Sequence, residues 1–400
     1  MIKEILKPFL IFVKKIIFLN VWNIRVSNIA TTIHIVRTDA IGDFILFSQI
    51  LPYFKKIYPG YKIVLVANSL WQNLAEWISE NKILGGADRY FDEIISVEEM
   101  PFHRNPFYYY KMLKKIRMSA PEIVIQPTFS RTPKGDQLVL ISKEAEKIGY
   151  EGDLSNISKK KKEKNDKKYD RLIKNPGSPL ETEKNKHFLN QLSGCKADFS
   201  KGPEWKITNG LSAQGKEFLK SGGLDLSKPI IIISPGAGYK IRHWPVDSFV
   251  SLMKKLLESG RSFQFVLTGG KNDEKICSNI ENSATGATIL NLCGKIGLSL
   301  QAQIFSLASL HIGNESGPMH MALAVGIPTV SLVGGGHYDR YIWKTGEKNI
   351  AVSHPMSCFN CNWKCIYETG KEGPAFCIKK ITVEEVYGEA IKILNKKNDR

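Results

Sequence analysis

The sequence predicts an α/β protein made of two doubly wound parallel sheets. Three observations predict it. Short apolar runs alternate with helix-length spacers, the pattern of parallel strands joined by crossover helices. The series occurs twice, once from residue 33 and again from residue 229. Polar, glycine-bearing loops directly follow several apolar runs, where the ligands of such sheets bind. Composition agrees: 400 residues suffice for two or three domains, and 43% hydrophobic with 24% charged residues excludes global disorder.

Residues 1–30 form a basic amphipathic segment. Their longest purely apolar run is residues 9–13, too short and too interrupted by charge for a membrane span. Wound as a helix, Lys3, Lys7 and Lys14 share one face with Lys15 at its margin. Ile5, Phe9, Phe12, Val13 and Ile16 fill most of the rest. The pattern fits an interfacial helix or an extra packing helix. A secretory signal is the rival, but no small-x-small cleavage site follows.

The first domain is expected over 31–205. Residues 33–36 read as a buried strand, 43–58 as a helix closed by Pro59-Gly60, and 62–67 and 122–126 as strands. Residues 151–228 carry lysines with Pro, Gly and Ser clusters and read as loops, with a linker at 206–228. The second domain is expected over 229–380. Its strands fall at 230–234, 262–268, 289–292, 310–313 and 329–333, and its helices at 246–259, 300–308 and 319–325. Thr382 and Glu385 make a capping box that opens a C-terminal helix within 381–400.

The net charge is +17, from 56 Lys and Arg against 39 Asp and Glu, which suits a polyanionic partner. About half of it sits in two segments. Residues 1–30 hold five cations against one acid, and residues 159–168 hold seven lysines against two acids. The 159–168 run has no apolar residue and reads as a solvated loop, or as a patch docking on phosphates or anionic lipid. It lacks interleaved aromatics, which argues against single-stranded nucleic acid.

Four post-strand loops carry the candidate chemistry. In Arg37-Thr-Asp-Ala-Ile-Gly-Asp43, Gly42 admits a close backbone approach. Asp43 there is either a helix cap or a general base. No GxGxxG fingerprint is present. In the 234–245 loop, Gly236 and Gly238 free backbone N–H groups while Lys240, Arg242 and His243 bring positive charge. That suits a phosphate or pyrophosphate, or else a basic surface loop; the GxxxxGK[ST] spacing is absent. The third loop offers Asp273 and Glu274, as helix caps or as acceptors for ribose hydroxyls. The fourth, Asn314-Glu-Ser-Gly-Pro-Met-His320, opens a helix whose first N–H groups near Ser316 and Gly317 face an anion. Glu315 adds a hydroxyl-binding carboxylate, and His320 is either a packed histidine or a ligand-binding one.

Taken in order, RTDAIGD, SPGAGYKIRHWP, the GG-acid loop and NESGPMHMALAVGIPTVSLVG resemble glycosyltransferase family 9, the ADP-heptose:lipopolysaccharide heptosyltransferases. The resemblance runs from about residue 33 to 395, strong in the second half and patchy over 70–228. It implies a GT-B fold of two Rossmann-like domains facing across a cleft. It also implies inverting, metal-independent sugar transfer with no required cofactor. The donor implied is a nucleotide-diphospho-heptose, ADP-heptose above all. The acceptor is a lipid-linked saccharide such as lipopolysaccharide core, met peripherally at the cytoplasmic face of the inner membrane. Asp43 becomes the base, with Arg37, Asp39 and Gly42 on the acceptor side. Gly236, Gly238, Lys240, Arg242, Ser316 and Gly317 take the diphosphate. Asp273, Glu274, Glu315 and His320 take the donor sugar or ribose. The family's aspartate is glutamate at position 315, so donor contacts differ by a methylene.

Seven cysteines are present. Cys195, Cys277 and Cys293 are scattered and read as reduced packing residues. Cys358, Cys361, Cys365 and Cys377 have the count for structural Zn²⁺ or an iron–sulfur cluster, against reduced thiols or a disulfide. Two other functions compete: a GT-B sugar-nucleotide epimerase, and a basic nucleic-acid-binding protein with a Cys-rich metal element. No helix-turn-helix, RNP or paired zinc-finger signature supports nucleic acid as partner.

Overall fold

The structure, a computed structural model, describes residues 2–194, 202–367 and 373–396, without the side chains of residues 2–7. Cys195 lies outside the described residues. The chain divides into two compact units, residues 1–178 with 183–198 and residues 179–182 with 199–400.

Unit 1 holds strands β1 (Ala30–Arg37), β2 (Lys62–Asn68), β3 (Glu93–Val97), β4 (Pro121–Gln126), β5 (Glu146–Tyr150) and β6 (Arg171–Ile173). Its helices are α1 (Ile2–Trp22), α2 (Ile41–Ser48), α3 (Leu51–Ile57), α4 (Gln72–Glu80), α5 (Glu99–Arg104), α6 (Pro106–Met118), α7 (Pro133–Leu140), α8 (Lys159–Asp166) and most of α9 (Glu181–Ser193). All strand pairs are parallel, in the order β3-β2-β1-β4-β5-β6.

Unit 2 holds β7 (Ile230–Ser234), β8 (Gln264–Leu267), β9 (Thr288–Asn291), β10 (Leu310–Asn314), β11 (Thr329–Leu332) and β12 (Asn349–Val352). Its helices are α10 (Ala213–Ser221), α11 (Val246–Glu258), α12 (Glu274–Ser283), α13 (Leu298–Ser306), α14 (Gly317–Val325), α15 (Tyr338–Tyr341), α16 (Phe376–Lys379) and α17 (Val383–Lys396). These strands are also parallel, in the order β12-β11-β10-β7-β8-β9. Every residue of β7 is buried, which is why the central strands read as unbroken apolar runs.

Four expectations are corrected. The helix expected over 43–58 is two, α2 and α3, because Pro52 has no N–H to offer the Ser48 carbonyl. The 151–228 stretch is not all loop: it contains α8, β6, α9 and α10. Residues 206–228 are not a free linker, since α10 belongs to unit 2 and Gly215 N–H donates to Gln303 Oε1 of α13 at 3.1 Å. The lysine run is helical over Lys159–Asp166. Asp166 receives Lys162 and Arg131, and Asn165 donates to buried Asp136 at 2.7 Å, so the end of α8 is tied down while Lys159, Lys160, Lys161 and Lys164 stay exposed.

The capping box forms as expected: Thr382 N–H donates to Glu385 Oε2 at 2.9 Å, and Glu385 N–H donates to Thr382 Oγ1 at 3.3 Å. Helix α1 packs on α6, with Val21, Ile17, Phe18 and Trp22 on the core. Lys14 lies on this inner face, donating to the Phe102 carbonyl at 2.9 Å with its Nζ 4.3 Å from the Tyr109 ring centre. Burial, then the charge of Lys161, lowers its pKa. On the opposite face Phe9, Phe12, Ile16 and Leu19 are exposed. Among the described residues no helix is long and apolar enough to cross a membrane.

Candidate functional site

In each sheet the strand order reverses once beside the first strand: between β1 and β4 in unit 1, and between β7 and β10 in unit 2. A reversal sends the two following connections to opposite faces and opens a crevice at the carboxyl edge. The loops after β1, β7 and β10 are therefore the ones topology places at binding edges, and three of the four sequence-predicted loops lie there. The fourth follows β8, next to β7.

In unit 1 the 37–43 loop is braced from several sides. Arg37 is wholly buried, with Nε 2.7 Å from Asp39 Oδ2. It donates to the carbonyls of Pro127 and Asp43, each at 3.3 Å, and to Asn185 Oδ1 at 3.5 Å. Asn68 Nδ2 donates to the carbonyls of Thr38 and Asp39, and Trp71 Nε1 donates to that of Asp39 at 3.0 Å. Lys134, itself buried, donates to the Thr38 carbonyl at 3.2 Å and pairs with Glu99. Hydrogen bonds from His103 and then Lys134 pull Glu99 down to about 2. Arg37 thus spends its guanidinium on holding the loop. Asp43 is the third residue of α2 and partly exposed; the N-cap position is held by Ala40, so the cap reading of Asp43 is not what the structure shows.

In unit 2 the loops after β7 and β10 are stapled together. Asn314 accepts from Trp244 N–H at 3.1 Å and donates to the Pro235 carbonyl at 2.6 Å. Arg242, in a 3-10 turn, places Nη2 2.6 Å from Glu315 Oε2 and also donates to the Glu315 carbonyl. Both side chains are largely buried, and Arg242 Nε is buried without a hydrogen-bond partner. A hydrogen-bonded pair out of water is geometrically fixed, and the orphan N–H is a donor in reserve. Ser316 stands at the N-cap position of α14 with its hydroxyl donating to the Asn314 carbonyl at 3.1 Å, and Gly317 is the first helical residue, so the helix offers its positive end beside the pair.

Other predicted residues play structural parts. Gly236 is required by a close approach: a Cβ there would stand 2.3 Å from the Asp273 carboxyl. Asp273 accepts Gly270 N–H at 2.9 Å, and burial raises its pKa. It therefore caps the turn before α12. His320 is buried and its Nδ1 accepts from Trp343 Nε1 at 3.1 Å. Burial, then Arg242, lowers it to about 3, so it is neutral and packed. Gly238, Lys240 and Glu274 are exposed.

Sequence reasoning passed over Asn314, Lys134, Asn68, Trp71 and Trp363. Asn314 and Asn68 had a readable signal, since each ends a strand as a polar residue after an apolar run. The others reach their loops from distant segments. Trp363 lies over Arg242, with the guanidinium carbon 5.2 Å from its ring centre.

The four clustered cysteines are free thiols. Cys377 is buried, and its sulfur accepts Gly335 N–H at 3.4 Å; burial pushes its pKa up. Cys358, Cys361 and Cys365 are partly exposed. Among the described residues no group of three or more His, Cys, Asp or Glu is arranged to hold a metal ion. Cys277 and Cys293 are buried thiols of unit 2, as expected of packing residues.

Two parallel six-stranded sheets flanked by helices, each with loops gathered at its reversal, are the GT-B fold. The fold matches the glycosyltransferase of family 9 from Veillonella parvula with TM-score 0.72 and 19% identity, over 93% of this chain and 100% of that one. It matches the E. coli ADP-heptose lipopolysaccharide heptosyltransferase II with TM-score 0.66 and 18% identity, over 92% and 99%. The chain belongs to glycosyltransferase family 9 (heptosyltransferase), whose profile matches residues 136–365. Lipooligosaccharide heptosyltransferase 2 of Campylobacter jejuni is 26% identical over 212 residues. That alignment spans 52% of this chain and 62% of the relative, somewhat under two thirds of its length.

Proposed function

We propose that the chain is an inverting heptosyltransferase that moves a heptose from ADP-heptose to a lipid-linked saccharide such as lipopolysaccharide core. The observation that carries the reading is Arg242, a cation held in place by Glu315 beside the N-terminus of α14, at the switch point of unit 2. Such a group meets the negative charge that gathers on a departing diphosphate. The family relationship and the curated lipooligosaccharide heptosyltransferase support heptose as the sugar.

In the reaction the acceptor hydroxyl oxygen forms a bond to the anomeric carbon as the bond from that carbon to the diphosphate oxygen breaks. The departing electron pair stays on the diphosphate, and the hydroxyl proton passes to the Asp43 carboxylate. Arg242 takes the place a divalent metal fills in other sugar-nucleotide enzymes, so chelators leave the rate unchanged. Arg37, Asn68, Trp71 and Lys134 hold the loop from which Asp43 acts.

The acceptor is amphipathic, and α1 suits its bilayer. The exposed Phe9, Phe12, Ile16 and Leu19 form one stripe, and the exposed lysines of α8 add positive charge to the same unit. Apolar residues flanked by lysines fit an anionic headgroup region. A second copy of the chain is a poorer occupant, because it would bring like charges together. We place the enzyme peripherally on the cytoplasmic face of the inner membrane on these grounds.

The test is transfer from a panel of nucleotide-diphospho-sugars onto extracted lipid acceptors, read by mass spectrometry. Wild type transfers heptose from ADP-heptose, and Asp43→Asn loses about 10²- to 10⁴-fold in rate with its thermal midpoint kept. Near wild-type transfer by a folded Asp43→Asn would remove Asp43 as the base. Transfer of another sugar instead would overturn the donor assignment.

A further inference from the structure

We propose that Trp363 is a positioning residue for the donor diphosphate site: its ring face fixes the Arg242 guanidinium. The inference rests on the reading of Arg242 as the diphosphate anchor and names the residue that holds it there.

Three features of the segment after β12 point the same way. The first is backbone strain. Asn360, Asn362 and Trp363 have φ of 66°, 52° and 59°. The left-handed region is uncommon for any residue with a side chain and a true outlier for one as bulky as tryptophan. Three such residues within four positions persist only where the surroundings over-determine them.

The second feature is those surroundings. Asn360 N–H donates to the Gly335 carbonyl at 2.6 Å, and Asn362 N–H to the Gly336 carbonyl at 3.0 Å. Asn360 Nδ2 donates to Asp339 Oδ2 at 2.6 Å. Trp363 Nε1 donates to His337 Nδ1 at 3.2 Å, and His337 Nε2 lies 2.5 Å from Asn362 Oδ1. With Nδ1 accepting, the ring proton sits on Nε2 and is given to Asn362, so one tautomer satisfies both contacts.

The third feature is the floor beneath the ring. A Cβ on Gly336 would stand 2.2 Å from Trp363, and one on Gly334 would stand 2.7 Å from it. Neither glycine has positive φ, so close approach of the indole is what requires them. The ring seated there lies 5.2 Å from the guanidinium carbon of Arg242, within cation–π range.

Arg242 is thus held by Glu315 at one edge and by Trp363 over a face, with Nε left without a hydrogen-bond partner. An arginine with two of its sides occupied loses little freedom when a diphosphate arrives. The strained turn is what delivers the indole. It belongs to the segment bearing Cys358, Cys361 and Cys365, which gives that segment a part in donor binding independent of any metal.

The experiment uses the full chain and titrates inorganic pyrophosphate and ADP by calorimetry. Trp363→Leu weakens both about tenfold. Trp363→Phe, which keeps a ring face, stays within about threefold of wild type. Gly336→Ala displaces the ring without altering any polar or aromatic side chain, and it reproduces Trp363→Leu. In the ligand-free protein, the Arg242 Hε resonance, assigned through Arg242→Lys, loses its ring-current shift in Trp363→Leu and keeps it in Trp363→Phe. A change confined to general destabilisation would not separate these two variants. Wild-type pyrophosphate affinity in Trp363→Leu, or an unmoved Arg242 resonance, would overturn the positioning role alone. Failure of wild type to bind either pyrophosphate or ADP would overturn the diphosphate reading of Arg242 and this inference with it.

Discussion

At the residue scale, Gly236 shows how a motif position can be read correctly for a different reason. The sequence marks it as a place where something approaches the backbone, and a phosphate was the expected visitor. In the structure the visitor is the Asp273 carboxyl, 2.3 Å from where a Cβ would be. Asp273 cannot swing away without giving up Gly270 N–H. Gly236→Ala is therefore expected to cost about 1–3 kcal/mol, as overpacked sites do, and to lower the thermal midpoint by roughly 2–12 °C. A calorimetric scan giving an unchanged midpoint would show that the loop yields freely. His320 teaches the same lesson. Its position one turn into α14 was readable, but the Trp343 indole that occupies its Nδ1 arrives from 23 residues further on. Glu315 was legible because it directly follows an apolar strand, and Arg242 because it lies in the glycine-bearing loop after one; such loops face the carboxyl edge wherever the strands fall in the sheet.

At the element scale, legibility followed periodicity. The amphipathic character of α1 was readable, but the structure does not keep its lysines on one outer face: Lys14 lies on the packed side with Ile17, Phe18, Val21 and Trp22, while Phe9, Phe12, Ile16 and Leu19 are outside. Helix α8 was not readable, since Lys-Lys-Lys-Lys-Glu-Lys-Asn-Asp has no apolar period. Its helical form is fixed by contacts of Asn165 and Asp166 with Asp136 and Arg131, which no local window contains. These two helices yield one prediction. Vesicles of mixed neutral and anionic phospholipid should co-sediment the wild-type chain, and Phe12→Asp with Ile16→Asp should reduce the bound fraction at least tenfold. Replacing Lys159, Lys160 and Lys161 by Gln should weaken binding at low salt more than at high salt, because surface charge is screened. Equal binding to purely neutral vesicles would remove the electrostatic part of the proposal. Dimerisation of the wild type that the aspartates abolish would give the stripe to a second copy.

At the scale of the whole molecule, the two sheets were legible from their central strands, which are buried on both faces and written as apolar runs. The edge strands were not. β6 has three residues and β12 is only partly buried, so neither carries a distinctive run. Burial in both units sets the response to acid. His34 of β1 is lowered to about 4 by desolvation, and His311 of β10 and His320 to about 3. Each folded-state pKa lies below the unfolded value of about 6.5, so the unfolded chain binds more protons once the pH drops below that value. Stability from these groups is complete above pH ~6.5 and is lost as the pH falls toward 4, at about 1.4 kcal/mol per pH unit for each. Thermal midpoints should therefore decline steeply between pH 6.5 and 4, and His311→Gln should flatten the slope by about a third. A flat profile would mean that these histidines meet water in the folded protein.

The side chains around Arg242 also bear on how such an enzyme diversifies. Glu315, Trp363, His337 and the two glycines beneath the indole all come from the second unit. On the proposed function, donor choice is inherited as one block of chain after residue 199. Substitutions before residue 179 are then free to explore new acceptors while the sugar delivered stays the same, so a lineage can change the glycan it builds without first relearning its currency.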